Sequence, residues 1–354
     1  MRIAVLGVGL IGGSVALAAR ERAQATVIGY DASADALAEA VARGAVDVAG
    51  DDLGATVADA DAVFVAAPVS ALGPVVTQAL AAAPEDCVVT DVGSTKRTVV
   101  GAHQDPRFVG GHPLAGAETA GVAHARADLF DGAVWYLTPG PRTSGELYER
   151  LHRLLVSLGA RPTAIDADAH DRMLASVSHL PHVLANVLVA QSAATLGGER
   201  LPATGPSFRD ATRVAGAPSA IWTDIYLSNR DALLAELDEF ARRLGQVRGA
   251  LERGDADAIT AWNDGAASDR RRLLEAGVEG GELFELRVSV PNRPGVIAQL
   301  ALELGRAGVN ITDMALYPAE DRSSGVVALW IAGGGAAARA TELIGELGYP
   351  VARP

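Results

Sequence analysis

Gly7-Val8-Gly9-Leu10-Ile11-Gly12 fits the pattern G-x-G-x-x-G, between the apolar run Ile3–Leu6 and an alanine-rich helical stretch reaching about Ala23. Such a loop turns tightly. It lets a pyrophosphate approach the N–H groups of a helix amino terminus, where the helix dipole is positive. Asp31 ends the next strand candidate, nineteen residues after Gly12. A carboxylate there takes the ribose hydroxyls of a dinucleotide. It also repels a 2′-phosphate, and Ala32-Ser33-Ala34-Asp35 brings no arginine to bind one. The expected cofactor is therefore NAD. Gly7, Gly9, Leu10, Ile11, Gly12 and Asp31 are its candidate contacts, with Ala67 and Pro68 after a later strand.

A second group of residues suits proton transfer and anion binding. His112 sits in Gly110-Gly111-His112-Pro113-Leu114-Ala115-Gly116, just after the strand candidate Phe108–Gly110. In a doubly wound sheet, substrates meet the cofactor at that end of a strand. An imidazole, with an ordinary pKa of about 6.5, exchanges protons near neutrality. Ser94, in Asp91-Val92-Gly93-Ser94-Thr95-Lys96, holds the same kind of place after another strand. Its plain role is a helix N-cap, which does not exclude a functional hydroxyl. His179 and His182 are three apart and share one helix face. No third ligand cluster accompanies them, so no metal is expected, and His179 reads as a buried, hydrogen-bonded histidine. Phe208-Arg209-Asp210-Ala211-Thr212-Arg213 is either a surface charge cluster or an anion clamp, since arginine grips carboxylates with two bonds. His103, His124 and His152 lie among charged or turn residues and read as surface histidines.

These residues need elements to hold them. Ile3–Leu6, Thr26–Tyr30, Ala62–Ala67, Cys87–Thr90, Phe108–Gly110, Val134–Leu137 and Thr163–Ile165 are apolar strand candidates separated by helical stretches. Strands without apolar–polar alternation are covered on both faces, and strand–helix alternation implies a doubly wound, mostly parallel Rossmann-type α/β sheet over residues 1–165. Residues 166–278 read as all-helical, with one long pattern from His170 to Leu196 kinked at Pro181. Gly197, Gly198, Pro202, Gly205 and Pro206 mark a loop. Leu233, Leu237, Phe240, Leu244, Val247 and Leu251 then form a heptad-like stripe. It serves either helix packing inside the domain or a homodimer seam. Gly277–Gly281 reads as a linker. Residues 282–354 follow as β-α-β-β-α-β, a small ferredoxin-like α+β sandwich.

Composition narrows the function further. The 354 residues carry 30 basic and 43 acidic side chains, a net charge of −13. That balance speaks against nucleic acid or an anionic membrane surface as partner. The single cysteine, Cys87, excludes an intrachain disulfide and a cysteine-based zinc site, and the expected compartment is the cytoplasm. Ile3–Ala19, Ala62–Pro84 and Leu174–Gly198 are uncharged. Glycines, prolines, histidines, Asn186 and Gln191 interrupt them, so they read as parts of folded domains rather than as a signal peptide or membrane spans.

Taken in order, the glycine loop, Asp91–Lys96, Gly111-His112-Pro113-Leu114-Ala115-Gly116-Ala117-Glu118, Ser178-His179-Leu180-Pro181-His182 and Asp210-Ala211-Thr212-Arg213 resemble the prephenate and arogenate dehydrogenases over residues 1–280. The segment Val290-Pro291-Asn292-Arg293-Pro294-Gly295-Val296-Ile297, with Gly308-Val309-Asn310-Ile311, resembles an ACT domain. The resemblance implies oxidative decarboxylation. A hydride leaves the ring carbon bearing the 4-hydroxyl of prephenate for NAD⁺, carbon dioxide is lost, and 4-hydroxyphenylpyruvate forms on the path to tyrosine. It implies that His112 takes the hydroxyl proton and that Ser94 orients hydroxyl and imidazole. Arg213 would bind a substrate carboxylate, held by Asp210, while His182 and Glu118 line the pocket and Trp222 helps close it. It further implies a homodimer and an amino-acid effector, tyrosine above all, at Asn292, Pro294, Gly295 and Asn310. Ala117 stands where relatives often carry serine or threonine, which leaves prephenate and arogenate both open as substrate. Asn292 stands where ACT domains often carry aspartate. Two other readings have less support. A β-hydroxyacid dehydrogenase would need a lysine beyond Lys96, and none follows. A catalytically dead amino-acid sensor would not need His112 and Arg213 together.

Overall fold

In the computed structural model, which describes residues 1–116, 119–197, 205–275, 282–319 and 323–353, the chain forms two compact units. One is Met1–His170 with Glu282–Pro354; the other is Asp171–Gly281. Glu118, residues 198–204 of the expected loop and the expected linker Gly277–Gly281 lie outside the described residues.

The first unit is built on eight strands. They are β1 Arg2–Leu6, β2 Thr26–Tyr30, β3 Val48–Ala49, β4 Ala62–Val65, β5 Val88–Asp91, β6 Phe108–Pro113, β7 Val134–Pro139 and β8 Arg161–Ala164. Their order is β3-β2-β1-β4-β5-β6-β7-β8, with every pair parallel except β6 and β7. β4 and β5 are buried throughout, as strands covered on both faces must be. The order reverses between β1 and β4. Loops leaving the two strands there diverge and open a crevice at the carboxyl ends of the strands. Two readings of the sequence change. β3 is too short to show periodicity and was not anticipated. β6 runs on through His112 to Pro113, because antiparallel pairing with β7 places His112 opposite Tyr136. His112 therefore lies within the strand rather than after it.

Residues 282–353 belong to the same unit. β9 Leu283–Pro291, β10 Ile311–Pro318, β11 Ser324–Ala332 and β12 Val351–Ala352 form an antiparallel sheet in the order β10-β11-β9-β12. Leu286, Val288 and Val290 of β9 are buried, the alternation expected of a sheet with one face on a core. The helices Val296–Arg306 and Gly334–Glu346 complete the β-α-β-β-α-β order. This sandwich is docked closely on the N-terminal part. A Cβ on Gly145 would overlap Ile297, and one on Gly305 would overlap the carbonyl oxygen of Ala164. Gly295, at φ +85°, has no room for a Cβ beside Pro141 and donates its N–H to the Thr143 carbonyl at 3.2 Å. His152 faces this contact from the helix Gly145–Ser157. It is 1% exposed rather than a surface histidine, and burial pushes its pKa down to about 4.

The second unit is helical. Its first segment continues an α-helix Ala167–Leu174 through a wide π-type turn, Ala175–His179, into the helix Leu180–Thr195. Pro181 has no N–H and crowds the turn before it, and the backbone widens just there. Ala167–Thr195 is long and apolar enough to cross a membrane by length and composition. Yet His170, His179 and His182 on it are buried and bonded to protein groups. The helix Arg230–Arg253 carries the heptad-like stripe. Only Leu233 of that stripe is buried; Leu244 and Leu251 are 58% and 62% exposed. Val187, Ile221, Leu227 and Trp262 are exposed in the same unit.

Candidate active site

The glycine loop has the backbone its sequence demands. Gly7 sits at φ +98°, and a Cβ there would overlap the carbonyl oxygen of Ala66. A Cβ on Gly12 would overlap the Gly7 carbonyl. These two glycines close the turn against the end of β4, one residue before the expected contacts Ala67 and Pro68. Gly9 has another role: a Cβ there would meet nothing within 4 Å. Its Cα faces open space at the start of the helix Leu10–Ala23, and no side chain caps that helix. The loop therefore offers helix N–H groups to a phosphate without steric cover. Asp31 is anchored for its task. Oδ2 accepts the Val8 N–H and Oδ1 the Ser33 N–H, each at 2.9 Å. Each oxygen keeps a second lone pair for a ribose hydroxyl. Leu10 and Ile11 pack partly buried on the core at the first helical turn. These residues fit a dinucleotide.

His112 and Ser94 are carried by neighbouring strands, β6 and the loop leaving β5, at the carboxyl end of the parallel sheet. His112 is 8% exposed and Ser94 half-buried. His112 Nδ1 lies 2.9 Å from Nε2 of His170, which is completely buried. One of these nitrogens carries the shared hydrogen. If His112 is to accept a proton at Nε2, its neutral ring must hold its hydrogen on Nδ1 and donate it to His170. The Tyr136 ring stands edge-on to His170, centroids 5.6 Å apart, and holds that ring from the side. No pattern in the sequence singles out His170; only its register on the helix beyond β8 brings it to His112.

In the helical unit, His182 is 3% exposed and stacks flat on Trp222, with centroids 3.5 Å apart and planes 13° from parallel. Its Nδ1 lies 2.6 Å from the Tyr226 hydroxyl and 3.3 Å from Asn186 Nδ2. Burial pushes its pKa down, which favours a neutral ring. His179 is buried, as read from the sequence, against Asn229. The Asn229 Nδ2 donates to the Asp171 carbonyl at 2.7 Å and lies 3.2 Å from His179 Nδ1. The two histidines have separate hydrogen-bond partners but share the Trp222 ring, which stands edge-on to His179 with centroids 6.2 Å apart. Arg213 caps the helix Pro206–Thr212, which packs on Leu180–Thr195. Arg213 and Asp210 are both solvent-exposed. Tyr226 and Asn229 were missed; polar residues at single helical positions carry no pattern until the packing is seen.

The expected effector residues divide. Asn292 and Pro294 line a cavity of about 190 Å³ between the C-terminal sandwich and the N-terminal part, together with Arg142, Glu146 and Arg293. Gly295 and Asn310 instead serve the contact between them: Asn310 Oδ1 accepts the Thr163 hydroxyl of β8 at 3.2 Å.

Comparison with known proteins agrees with this arrangement. Residues 15–164 match the prephenate dehydrogenase nucleotide-binding domain, 166–263 the prephenate dehydrogenase dimerization domain and 284–337 the ACT domain. The chain is 33% identical over 338 residues to prephenate dehydrogenase of Bacillus subtilis (strain 168), covering 92% of this chain and 90% of the relative. It is similar to the structure of prephenate dehydrogenase from A. aeolicus in complex with hydroxyphenyl propionate and NAD⁺. That likeness has a TM-score of 0.70 and 27% identity, over 77% of this chain and 98% of the other. Similarity to Synechocystis arogenate dehydrogenase gives a TM-score of 0.68 and 29% identity, over 77% and 100%. With a glycine loop shaped for a dinucleotide, a buried histidine at the carboxyl end of β6 and three family domains in order, the chain belongs to the prephenate dehydrogenase family.

Proposed function

We propose that this chain is an NAD-dependent prephenate dehydrogenase of tyrosine biosynthesis. The observation that carries the reading is the oriented pair His112–His170 at the carboxyl end of a nucleotide-binding sheet. NAD⁺, when bound, supplies the redox step by accepting a hydride from the ring carbon bearing the hydroxyl. Gly7, Gly9, Leu10, Ile11, Gly12, Asp31, Ala67 and Pro68 hold it. His112 accepts the hydroxyl proton at Nε2 as the carbon–oxygen double bond forms. Loss of carbon dioxide leaves its electron pair to the ring, which becomes aromatic, and the phenolic oxygen takes the proton back. Protons and charge therefore balance without bulk water. Ser94 orients the hydroxyl. Arg213, steadied by Asp210, binds a substrate carboxylate; His182 and Trp222 are the expected pocket residues, with Glu118 expected beside them though outside the described residues, and stacking fixes the His182 ring.

The helical unit carries a homodimer interface, with the exposed side of the Leu233–Leu251 stripe within it. The ACT domain takes an amino acid, tyrosine as the expected effector, at the cavity beside Asn292 and Pro294. Gly295 and Asn310 pass its effect to the N-terminal part. A row of register partners runs from that contact to the site: Asn310 bonds Thr163, Thr163 pairs with Tyr136, and Tyr136 pairs with His112.

The test is NADH absorbance with purified protein, NAD⁺ and prephenate, then arogenate. Turnover with prephenate is expected. Turnover with arogenate alone would move the assignment to that substrate, in keeping with the likeness to the Synechocystis enzyme. No turnover with either, with NAD binding demonstrated, would overturn the reading.

A further inference from the structure

Of the thirty lysine and arginine residues in the chain, twenty-nine are arginine and one, Lys96, is lysine. That single lysine is 0% exposed and forms an ion pair with Asp91, which is equally buried. Both side chains are sealed from solvent. The Asp91 carboxylate has two further bonds: Oδ2 accepts the Gly93 N–H at 2.9 Å, and Oδ1 accepts the Gly111 N–H at 3.1 Å. Gly93 is the residue before Ser94, and Gly111 the residue before His112. One buried carboxylate thus joins the loop of the hydroxyl to the strand of the imidazole.

The glycines of both motifs make room for it. A Cβ on Gly93 would press on Asp91 Oδ2 at 3.0 Å and overlap Leu72. A Cβ on Gly111 would come within 2.6 Å of the Asp91 carbonyl oxygen. Gly110 lies against the lysine stem, a would-be Cβ standing 3.5 Å from Lys96 Cδ. A compact ammonium on a slender stem suits that space; a planar guanidinium does not. A buried ion pair is a poor device for stability alone, since an apolar pair of the same volume serves as well or better.

We infer that Asp91 and Lys96 are positioning residues for the dehydrogenase reaction, the carboxylate tying the Ser94 loop to the His112 strand and the ammonium balancing its buried charge. This rests on the assignment of Ser94 and His112 to proton transfer. The test is a double-mutant cycle read by NADH formation. Asp91→Asn/Lys96→Met removes both charges and keeps both shapes. It is expected to lower kcat by about 10- to 100-fold, the scale of a small misplacement of reacting groups. KM for NAD⁺ and prephenate should stay near wild type. In a Ser94→Ala background the same replacement should cost far less, because the tether then has no hydroxyl to place. Unchanged kcat, or losses that multiply independently of Ser94, would overturn the inference. Turnover left intact by Ser94→Ala and His112→Asn alone would overturn the site assignment first, and the tether with it. A further readout needs no substitution. Reductive methylation of the native enzyme should label the amino-terminal amine only, and Lys96 only after unfolding. Active enzyme methylated at Lys96 would refute the role.

Discussion

Replacing His170 tests the proton-transfer geometry most directly. His170→Phe keeps a ring beside Tyr136 but removes the acceptor 2.9 Å from His112 Nδ1. His170 is fully buried, so water does not readily take its place. Two effects follow. The neutral His112 ring loses the partner that keeps its hydrogen on Nδ1, and the imidazolium formed during the reaction loses a charge-assisted bond. Such a bond contributes about 1.5–3 kcal/mol. At about 1.4 kcal/mol per tenfold in rate, kcat/KM should fall by roughly 10- to 150-fold. His170→Gln keeps an acceptor oxygen and should recover part of the loss. The assay is initial NADH formation across pH, with NAD binding measured separately to confirm that the nucleotide site is intact. If His170→Phe stays within about threefold of wild type while binding NAD normally, the Nδ1 contact does not orient the base and the reasoning fails.

Three other perturbations probe separate parts of the molecule. Arg213→Ala should raise KM for prephenate by about 10-fold or more with a smaller change in kcat, since it removes binding common to ground and transition states; an unchanged KM would remove Arg213 from substrate binding. Thr163→Val breaks the bond to Asn310 and should leave basal kcat and KM unaltered, while the tyrosine concentration giving half-inhibition rises about 5-fold or more; identical inhibition curves would rule out this route. His152, buried with its pKa pushed down to about 4, is neutral in the fold, so below its unfolded pKa of about 6.5 the unfolded chain binds the extra proton. Stability present above pH 6.5 should be lost progressively toward pH 4, by up to about 3 kcal/mol, and His152→Leu should flatten that slope of Tm against pH; equal slopes would show that His152 is not the group responsible.

The parts of the site legible in the sequence are those whose chemistry is local in the chain. Gly7, Gly9 and Gly12 announce a turn because their spacing is the turn. Ser94 and His112 follow strand signals closely enough to be placed at the carboxyl end of the sheet. The β-α-β-β-α-β order of the last domain is likewise written in its apolar periods. What escaped depends on register between distant segments. His170 lies 58 residues beyond His112, and Asn229 lies 50 beyond His179. Each contact depends on which helical turn faces which neighbour, which periodicity alone leaves open. His152 was misread for the same reason: its charged neighbours suggest a surface, but the sandwich of residues 282–353 covers that face of its helix.

The glycines 145, 295 and 305 were equally silent, since each is small because of an atom more than a hundred residues away. Their closeness changes how regulation must be understood. An ACT domain hung on a linker would have to act at a distance. Here a close contact along Gly145–Ser157 and β8 places Asn310 against Thr163 of β8, two strands removed from β6, which bears His112. On the proposed reading, a shift at that contact would reach His112 through two strand pairings, His112–Tyr136 and Tyr136–Thr163, without requiring a rearrangement of the whole chain. For the same reason, deleting residues 282–354 would strip apolar surface from the helix Gly145–Ser157 and confound loss of the effector with loss of stability. A single exchange at Thr163 separates the two.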